Sequence, residues 1–588
     1  SDFETVCALP GAPALGLPTA GLLRGAAGDL LGVTSFSYLG GGLPGEVGGG
    51  SLFRVKPDGT GFSVLHHFAG RGGTPTSLIE GIDGRLYGTA ARTMVLNDAD
   101  TGLGIIFSVN KDGSDYQALH RFGMSPTDGT TPILLVEGSD AVLYGATESG
   151  ADGGYTGTLF RVNPDGSGFA TLHHFGAAIL VDYLSPVPGP DAESPSSLVA
   201  AKDGRLYGTT YSGGADNRGV VFALNQDGSG YQVLCSLKGS GFDTSTPTSL
   251  LEGADGRLYG VGTEMDEIGD DGILPPNGGC IFAISKTETN FQCLLRFDLS
   301  NPAQAGVVPQ RIFQDAHQTI FATYLWFGGA FSVDPTGSQL HSLGGIPEMG
   351  VGPIAEGADD AIYACFVPGL FPVEDRPWGS LYRFSKDGAA YEVLHAFGLE
   401  PQDGRLIIGA HGSREYNAVS LLRARDGVFY GATACGGKDD AGTLFRLTVK
   451  WPPVAADDQV ERAPGQPCRI AIAGLLANDV DPQHSPLVLS TFAATTPGGG
   501  QVARDGDYLV YTPSPGSGGT DAFSYTVVNE LGEAASATVT VTEANRALVL
   551  PVQTNLTVPE MTTLSVTNTA NKPDSTGTPL TYHLIDAP

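Results

Sequence analysis

The chain has 588 residues, with 32 basic side chains against 63 acidic ones and a formal net charge of −31. A field of that sign repels phosphate backbones and anionic lipid surfaces, which excludes nucleic acids and membrane surfaces as electrostatic partners. Although 85 residues are glycine and 39 proline, 41% of the chain is hydrophobic and 9% aromatic, so a disordered or collagen-like chain is excluded too.

The length suggests about three to five domains. No apolar run approaches the roughly 20 residues that span a bilayer, so no membrane insertion is expected. The sequence opens at Ser1 without a methionine or a charged-then-apolar leader, which reads as a removed signal peptide or a trimmed end.

From the start, one unit recurs. PTSLIEGIDGRLYGTA (75–90) returns as PILLVEGSDAVLYGAT (132–147), PSSLVAAKDGRLYGTT (195–210) and PTSLLEGADGRLYGVG (247–262). Weaker copies centre on Leu31, Phe321, Tyr363 and Tyr430, making eight. Each is followed by a second block such as GTLFRVNPDGSGFATLHHF (157–175), two apolar runs joined by an Asp-Gly turn. Short alternating runs bounded by Gly, Asp and Pro predict antiparallel strands, four per unit, named A to D in chain order. Four-stranded units repeated in tandem predict a β-propeller.

The ends of the repeat region predict that the ring closes. Copy eight supplies A, B and C strands up to Leu447 and then runs into WPPVAADD without a D strand. The missing strand is at the N-terminus, where FETVCALPG (3–11) matches YQVLCSLKG (231–239), the D strand of copy four. Strand Phe3 to Leu9 is therefore expected beside Thr443 to Leu447, leaving no open sheet edge. Residues 1–450 are read as an eight-bladed propeller closed by the N-terminal strand.

The pattern DGRLYGTT…GG…F…DGSG(F/Y) resembles the GloVer-type (choice-of-anchor) tandem repeats of secreted bacterial proteins. That resemblance implies secretion and surface anchoring rather than any particular chemistry. After Trp451, PPVAADDQVERAPGQP, LLANDVDP and TDAFSYTV resemble bacterial cadherin-like or Ig-like modules, which implies a β-sandwich over 451–545. Residues 546–588 resemble the first half of a second such module. Processing, truncation or completion by a neighbouring chain would each account for the missing half, the last implying self-association.

Histidines recur on strand D as His66-His67, His120, His173-His174 and His395, and recurrence at one repeat position assigns them to packing. Asp58-Gly59, Asp165-Gly166 and Asp227-Gly228 are read as hairpin turns rather than cation ligands, since Asp and Gly tolerate positive φ. Asn478, Asp479 and Asp481 are the calcium candidates that the module resemblance implies, although Gln483-His484-Ser485 replaces the usual acidic continuation. Beyond that structural calcium, no cofactor is expected. Seven cysteines are too few and too scattered for a zinc site or a disulfide framework. Cys280 and Cys293 fall on the C and D strands of copy five, where a disulfide is geometrically possible, as is an unbridged pair; Cys468 is expected to be unbridged.

No GxSxG, HExxH or Walker-type motif is present. Copy six departs from the repeat with Arg311, where other copies carry Ser77, Ser197 and Ser249, and with His317, Tyr324 and Trp326 nearby. An Arg, a His and a Tyr could neutralise a uronate and move protons in a β-elimination; drift in the most degenerate copy is the plainer explanation. From the C-strand to the D-strand aromatic the spacing is constant (53 to 62, 107 to 116, 160 to 169, 222 to 231), whereas B-to-C and D-to-A connections vary. All the variation falls on one face, where function concentrates. The exposed aromatics expected there are Tyr38, Tyr155, Tyr183, Tyr211, Trp326, Trp378 and Tyr416. The reading is a secreted or cell-surface, non-catalytic protein whose loop face binds a polysaccharide or a surface protein, carried on Ig-like modules. The alternative is a polysaccharide lyase working over the propeller axis.

Overall fold

A computed structural model describes residues 2–544 apart from connecting segments, the longer of which are 10–16, 36–49, 92–102, 177–191, 264–276, 299–307, 344–353, 367–377 and 407–419. Residues 546–588, the expected half-module and route to self-association, lie outside the described residues. The chain divides into two units, Ser1–Val449 and Lys450–Pro588. Among the described residues no helix is long and apolar enough to cross a membrane.

In the first unit the hydrogen bonds group the repeats into eight antiparallel sheets of four or more strands. The third sheet shows the pattern: Thr130–Glu137, Leu143–Ser149, Thr158–Val162 and Ala170–His174 follow one another in chain order as A, B, C and D. A strands of successive sheets lie side by side, so they form the inner edge and the D strands the rim. The first copy departs from the pattern, its A position being split into Leu17–Pro18 and Leu23–Arg24. In the eighth, Gly404–Arg405 pairs with Cys435–Gly436 and the ladder resumes at Ser420–Arg423, so the insert 407–419 interrupts the A strand.

Each letter of the repeat has a physical task. The B-strand tyrosine is buried and its hydroxyl donates to the aspartate four residues earlier in the A-to-B turn: Tyr87 to Asp83 at 2.7 Å, Tyr144 to Asp140 at 2.8 Å, Tyr207 to Asp203 at 2.8 Å, Tyr259 to Asp255 at 2.7 Å and Tyr363 to Asp359 at 3.1 Å. The glycine after it makes room for the C-strand phenylalanine, since a Cβ on Gly88 would stand 2.4 Å from Phe107 and one on Gly145 2.3 Å from Phe160. The C-to-D turns close on their own side chains. Asp112, Asp165 and Asp227 each accept bonds from the amide and hydroxyl of the serine two residues on, at 2.6–2.9 Å.

The sheets pack into a closed ring. Apolar clusters join the first to the second sheet through Leu31 and Phe107, the second to the third through Tyr87 and Phe160, and the fifth to the sixth through Tyr259 and Phe331. Leu9, Leu30 and Phe53 meet Ala424, Tyr430 and Leu444, joining the two ends of the repeat region. The N-terminal strand Asp2–Ala8 is the eighth sheet's outer strand, paired antiparallel from Asp2↔Thr448 to Ala8↔Thr443 with one irregularity between Thr5 and Cys7. Its Glu4 also pairs with Arg446.

The second unit holds a sandwich with a four-stranded and a three-stranded sheet. Its first strand Asp458–Arg462 runs parallel to the last, Ala534–Glu543, and a one-turn helix, Ile472–Leu475, lies between the second strand, Cys468–Ala471, and the third, Val488–Phe492. Leu509, Tyr511, Tyr525, Val527 and Val539 form the core.

For Cys280 and Cys293, where the sequence allows either a disulfide or an unbridged pair, the ladder puts the two residues on different rungs. The register places Cys280 opposite Arg296 and Cys293 opposite Phe282, because an extra residue enters the D strand between the rungs Ile281↔Leu295 and Phe282↔Cys293. A facing pair on one rung would be needed.

Deleting residues 1–10 reopens the rim of the eighth sheet and is expected to lower the melting temperature strongly; Phe3→Ala alone is expected to cost about 3 kcal/mol. A truncated chain that melts like the parent in calorimetry would overturn closure by this strand. The tyrosine clamps predict an acid limit. Burial pushes the Asp255 carboxyl up, but bonds from Tyr259 and Arg257 outweigh it and hold it below the ordinary value. Its contribution is therefore present above about pH 4 and lost as pH falls through the folded value. Tyr259→Phe is expected to cost about 1 kcal/mol at neutral pH, with a smaller penalty once the Asp255 carboxyl is protonated in acid, read from melting curves across pH.

Candidate functional site

The strand bounds separate two kinds of connection. A-to-B turns are short throughout, from Glu80 to Leu86, Glu137 to Leu143 and Glu252 to Leu258. B-to-C connections range from Leu325 to Ala330 up to Ser35 to Ser51, and D-to-A connections from His67 to Thr74 up to His174 to Ala192. In an up-and-down sheet these two long classes emerge at the same end, so one face carries uniform turns and the other diverse loops.

Of the aromatics expected on the loop face, Tyr38, Tyr155, Tyr183, Trp326 and Tyr416 lie outside the described residues. Tyr211 is half-buried near the end of strand Arg205–Gly213. Trp378 is half-buried against Gly398, with the Arg405 guanidinium 4.7 Å from its ring centre. Both therefore sit at the loop end of their sheets, Trp378 with a packing role as well.

The sixth hairpin spreads its three unusual residues along its length. Arg311 pairs with Thr323 and Tyr324 with Pro309 toward the loop end, while His317 stands in the turn beyond Gln314↔Ile320, 69% exposed. His317 occupies the place of the turn aspartate, and Phe321 that of the tyrosine that would bond it. Loss of the hydroxyl and of its acceptor together is a compensated change within the clamp. His317 joins Asp315, Glu356 and Asp360 in a group of metal-ligating types. Lys386 Nζ already lies at 2.6 Å from Asp315 and Glu356 and also bonds Asp360. Burial lowers the pKa of that ammonium, and the carboxylates raise it further than burial lowers it. One ammonium among three carboxylates leaves the group net negative, and it ties sheets six and seven.

In the sandwich the three calcium candidates hold neighbouring segments. Asp479 accepts from the Ala456 amide at 2.8 Å and from the Tyr525 hydroxyl, Asn478 donates to the carbonyls of Ala456 and Asp457, and Asp481 accepts from Ser485 at 2.7 Å and from Asn529 at 3.0 Å. Protein donors thus take up the carboxylate oxygens that a cation would need. Burial pushes the Cys468 thiol up.

The rim carries an arrangement that spacing alone did not reveal. The strand-D histidine of one sheet stacks flat on the strand-D aromatic of the next: His66 on Tyr116 at 3.6 Å, His120 on Phe169 at 3.3 Å, His173 on Tyr231 at 3.8 Å, and His395 on Phe3 of the N-terminal strand at 3.4 Å. At two of these seams the D-to-A loop folds back and sets a buried aspartate against the histidine. His120 Nε2 lies 3.3 Å from Asp128, and His395 Nε2 lies 2.9 Å from Asp403. The signal is present in the sequence as HRFGMSPTDG (120–129) and HAFGLEPQDG (395–404), a motif split between strand and loop. Burial lowers the His120 pKa, with Asp128 pulling the other way. Beside each pair lies a cleft, of about 510 Å³ at the first and about 520 Å³ at the second.

Comparison with solved structures finds distant likenesses. A catalytically inactive variant of virginiamycin B lyase from Staphylococcus aureus, crystallised with quinupristin, is 12% identical, covers 66% of this chain and 97% of its own, and gives a TM-score of 0.37. The extracellular domain of a one-component system from B. thetaiotaomicron is 10% identical over 90% of this chain and 68% of its own, at a TM-score of 0.34. No curated protein matches the chain. Residues 451–542 match the bacterial Ig domain. Residues 2–182 and 177–343 match the Gloeobacter/Verrucomicrobia repeat, and with more than half of its length so matched the chain belongs to that repeat family.

Proposed function

We propose that the chain is a secreted or cell-surface, non-catalytic binding protein that recognises a polysaccharide or a surface protein through the diverse-loop face of its ring, with Ig-like modules as its carrier. The observation that supports this most is the contrast between the two faces. A rigid ring of clamped, uniform turns carries connections of very unequal length on one side only, the arrangement by which scaffolds present binding loops. The repeat region followed by a bacterial Ig domain fits a surface protein.

The lyase alternative needs an Arg, a His and a Tyr converging on one uronate. The sixth hairpin instead places His317 at the turn end and Tyr324 at the loop end, and a net charge of −31 opposes an acidic polymer. The reading is tested by affinity electrophoresis in gels containing neutral or acidic polysaccharides. Replacing Tyr211 and Trp326 together by Ala, with the packing residue Trp378 left in place, is expected to weaken retention at least about tenfold, some 1.4 kcal/mol, with the melting temperature nearly unchanged. Retention that instead disappears when the turn residues Asp165 and Asp227 are replaced by Ala would put the site on the opposite face, and turnover of an acidic polymer to unsaturated uronates would favour the enzyme.

A further inference from the structure

We infer that the two rim clefts beside His120–Asp128 and His395–Asp403 are equivalent subsites for a neutral hexopyranose unit. This deepens the glycan reading above, on which it rests, by naming the sugar class and the place. Each cleft is enclosed by the end of one strand D, the folded-back D-to-A loop and strand D of the next sheet. The first is lined by His120, Ser125, Thr127, Asp128, Phe169 and Thr171. The second is lined by Phe3, Glu4, Thr5, His395, Glu400 and Asp403. Both volumes fall within the roughly 300–1,000 Å³ typical of small-ligand sites.

The wall chemistry is that of polyol recognition. At the first cleft, Asp128 is 3% exposed and its Oδ2 faces His120 Nε2 at 3.3 Å, a loose contact that leaves neither atom in a well-formed hydrogen bond. A buried acceptor and a buried ring nitrogen left in this way are costly. A sugar hydroxyl both donates and accepts, so one such group can satisfy the two together. The second cleft has Asp403 engaged by His395 at 2.9 Å and by the amides of Gly398 and Gly404 at 3.1 Å, and there Glu400 supplies a carboxylate to the cavity. Met124, 72% exposed, stands at the lip of the first cleft, and Leu399, 58% exposed, holds the same place in the second loop. They offer apolar contacts for the C–H faces of a ring.

Charge selects the class. The carboxylates in both walls and the overall net charge of −31 oppose uronates and sulfated sugars, leaving neutral hexoses. Two such subsites on one rigid ring would also let a repeating polymer engage twice.

Saturation-transfer NMR on the full chain tests this with methyl glucoside, methyl galactoside and methyl mannoside, and with galacturonate as the anionic comparison. Transfer to at least one neutral glycoside at millimolar concentration and none to galacturonate is expected. Thr171→Trp fills the first cleft and Thr5→Trp the second; each is expected to reduce the signal about twofold and the pair to abolish it. If Thr171→Trp lowers the melting temperature, Ser125→Trp on the loop wall replaces it. Transfer that persists in the doubly filled variant overturns the assignment of the clefts. Silence of all three neutral probes does so too. If the gels still retain the parent chain in that case, the loop-face reading stands while the cleft assignment falls; if they do not, both fall.

Discussion

The ring depends on one strand that arrives from the wrong end of the chain. Seven sheets take their outer strand from their own repeat, but the eighth takes it from Asp2–Ala8. Without that strand the eighth C strand would present a row of unpaired backbone groups, the edge that sheet proteins must cover. Phe3 then carries the rim contact, with its ring against His395 on one side and near Phe397 and Phe445 on the others. The most distant pairing in the sequence thus uses the same stacking chemistry as the seams between neighbouring repeats.

Within each sheet, order comes from polar groups fixed at turns rather than from apolar volume alone. The tyrosine hydroxyl reaches back to the turn aspartate, and the turn amides reach sideways, as Ile82 does to Glu137 at 2.8 Å and Lys202 to Glu252 at 2.9 Å. Those turns are thereby bonded to the next sheet as well as to their own. The turn face is consequently uniform, and variation in length is confined to the opposite end of the strands. Sheet six shows how the device tolerates change: Phe321 and His317 replace both partners of the clamp, so neither is left buried and unpaired, and Lys386 ties its neighbouring carboxylates to sheet seven.

The rim follows a different rule. Among the described residues its D strands exchange no backbone hydrogen bonds between sheets, so side chains bridge the seams, and four of the seams use an imidazole laid flat on an aromatic ring. Where the following loop has the length and the aspartate to fold back, a cleft with a buried polar floor results. A packing residue in one seam becomes part of a cavity wall in another, without any change in the repeat letter itself.

Strand order, the Asp-Gly turns and the strand that closes the ring were all legible in the amino-acid sequence, because they are local or periodic: a turn closes on its own side chains, and a missing D strand leaves a matching orphan. An Ig-like sandwich after the repeats was legible for the same reason. Tertiary structure decided everything that depends on which strand lies beside which. The recurring histidines were rightly placed on a packing position, but their partners are rings about fifty residues on in the next repeat or, for His395, at the N-terminus, and no spacing within a repeat names them. The thiols Cys280 and Cys293 looked as if they faced one another, until one extra residue beside Leu295 moved them to different rungs. Arg311, His317 and Tyr324 are close in sequence yet divided along one hairpin, whereas His120 and Asp128 meet only because their loop turns back. A periodic chain announces its strands and turns through local propensity; its sites arise where the period breaks, and there only the packing of non-adjacent segments sets which groups meet.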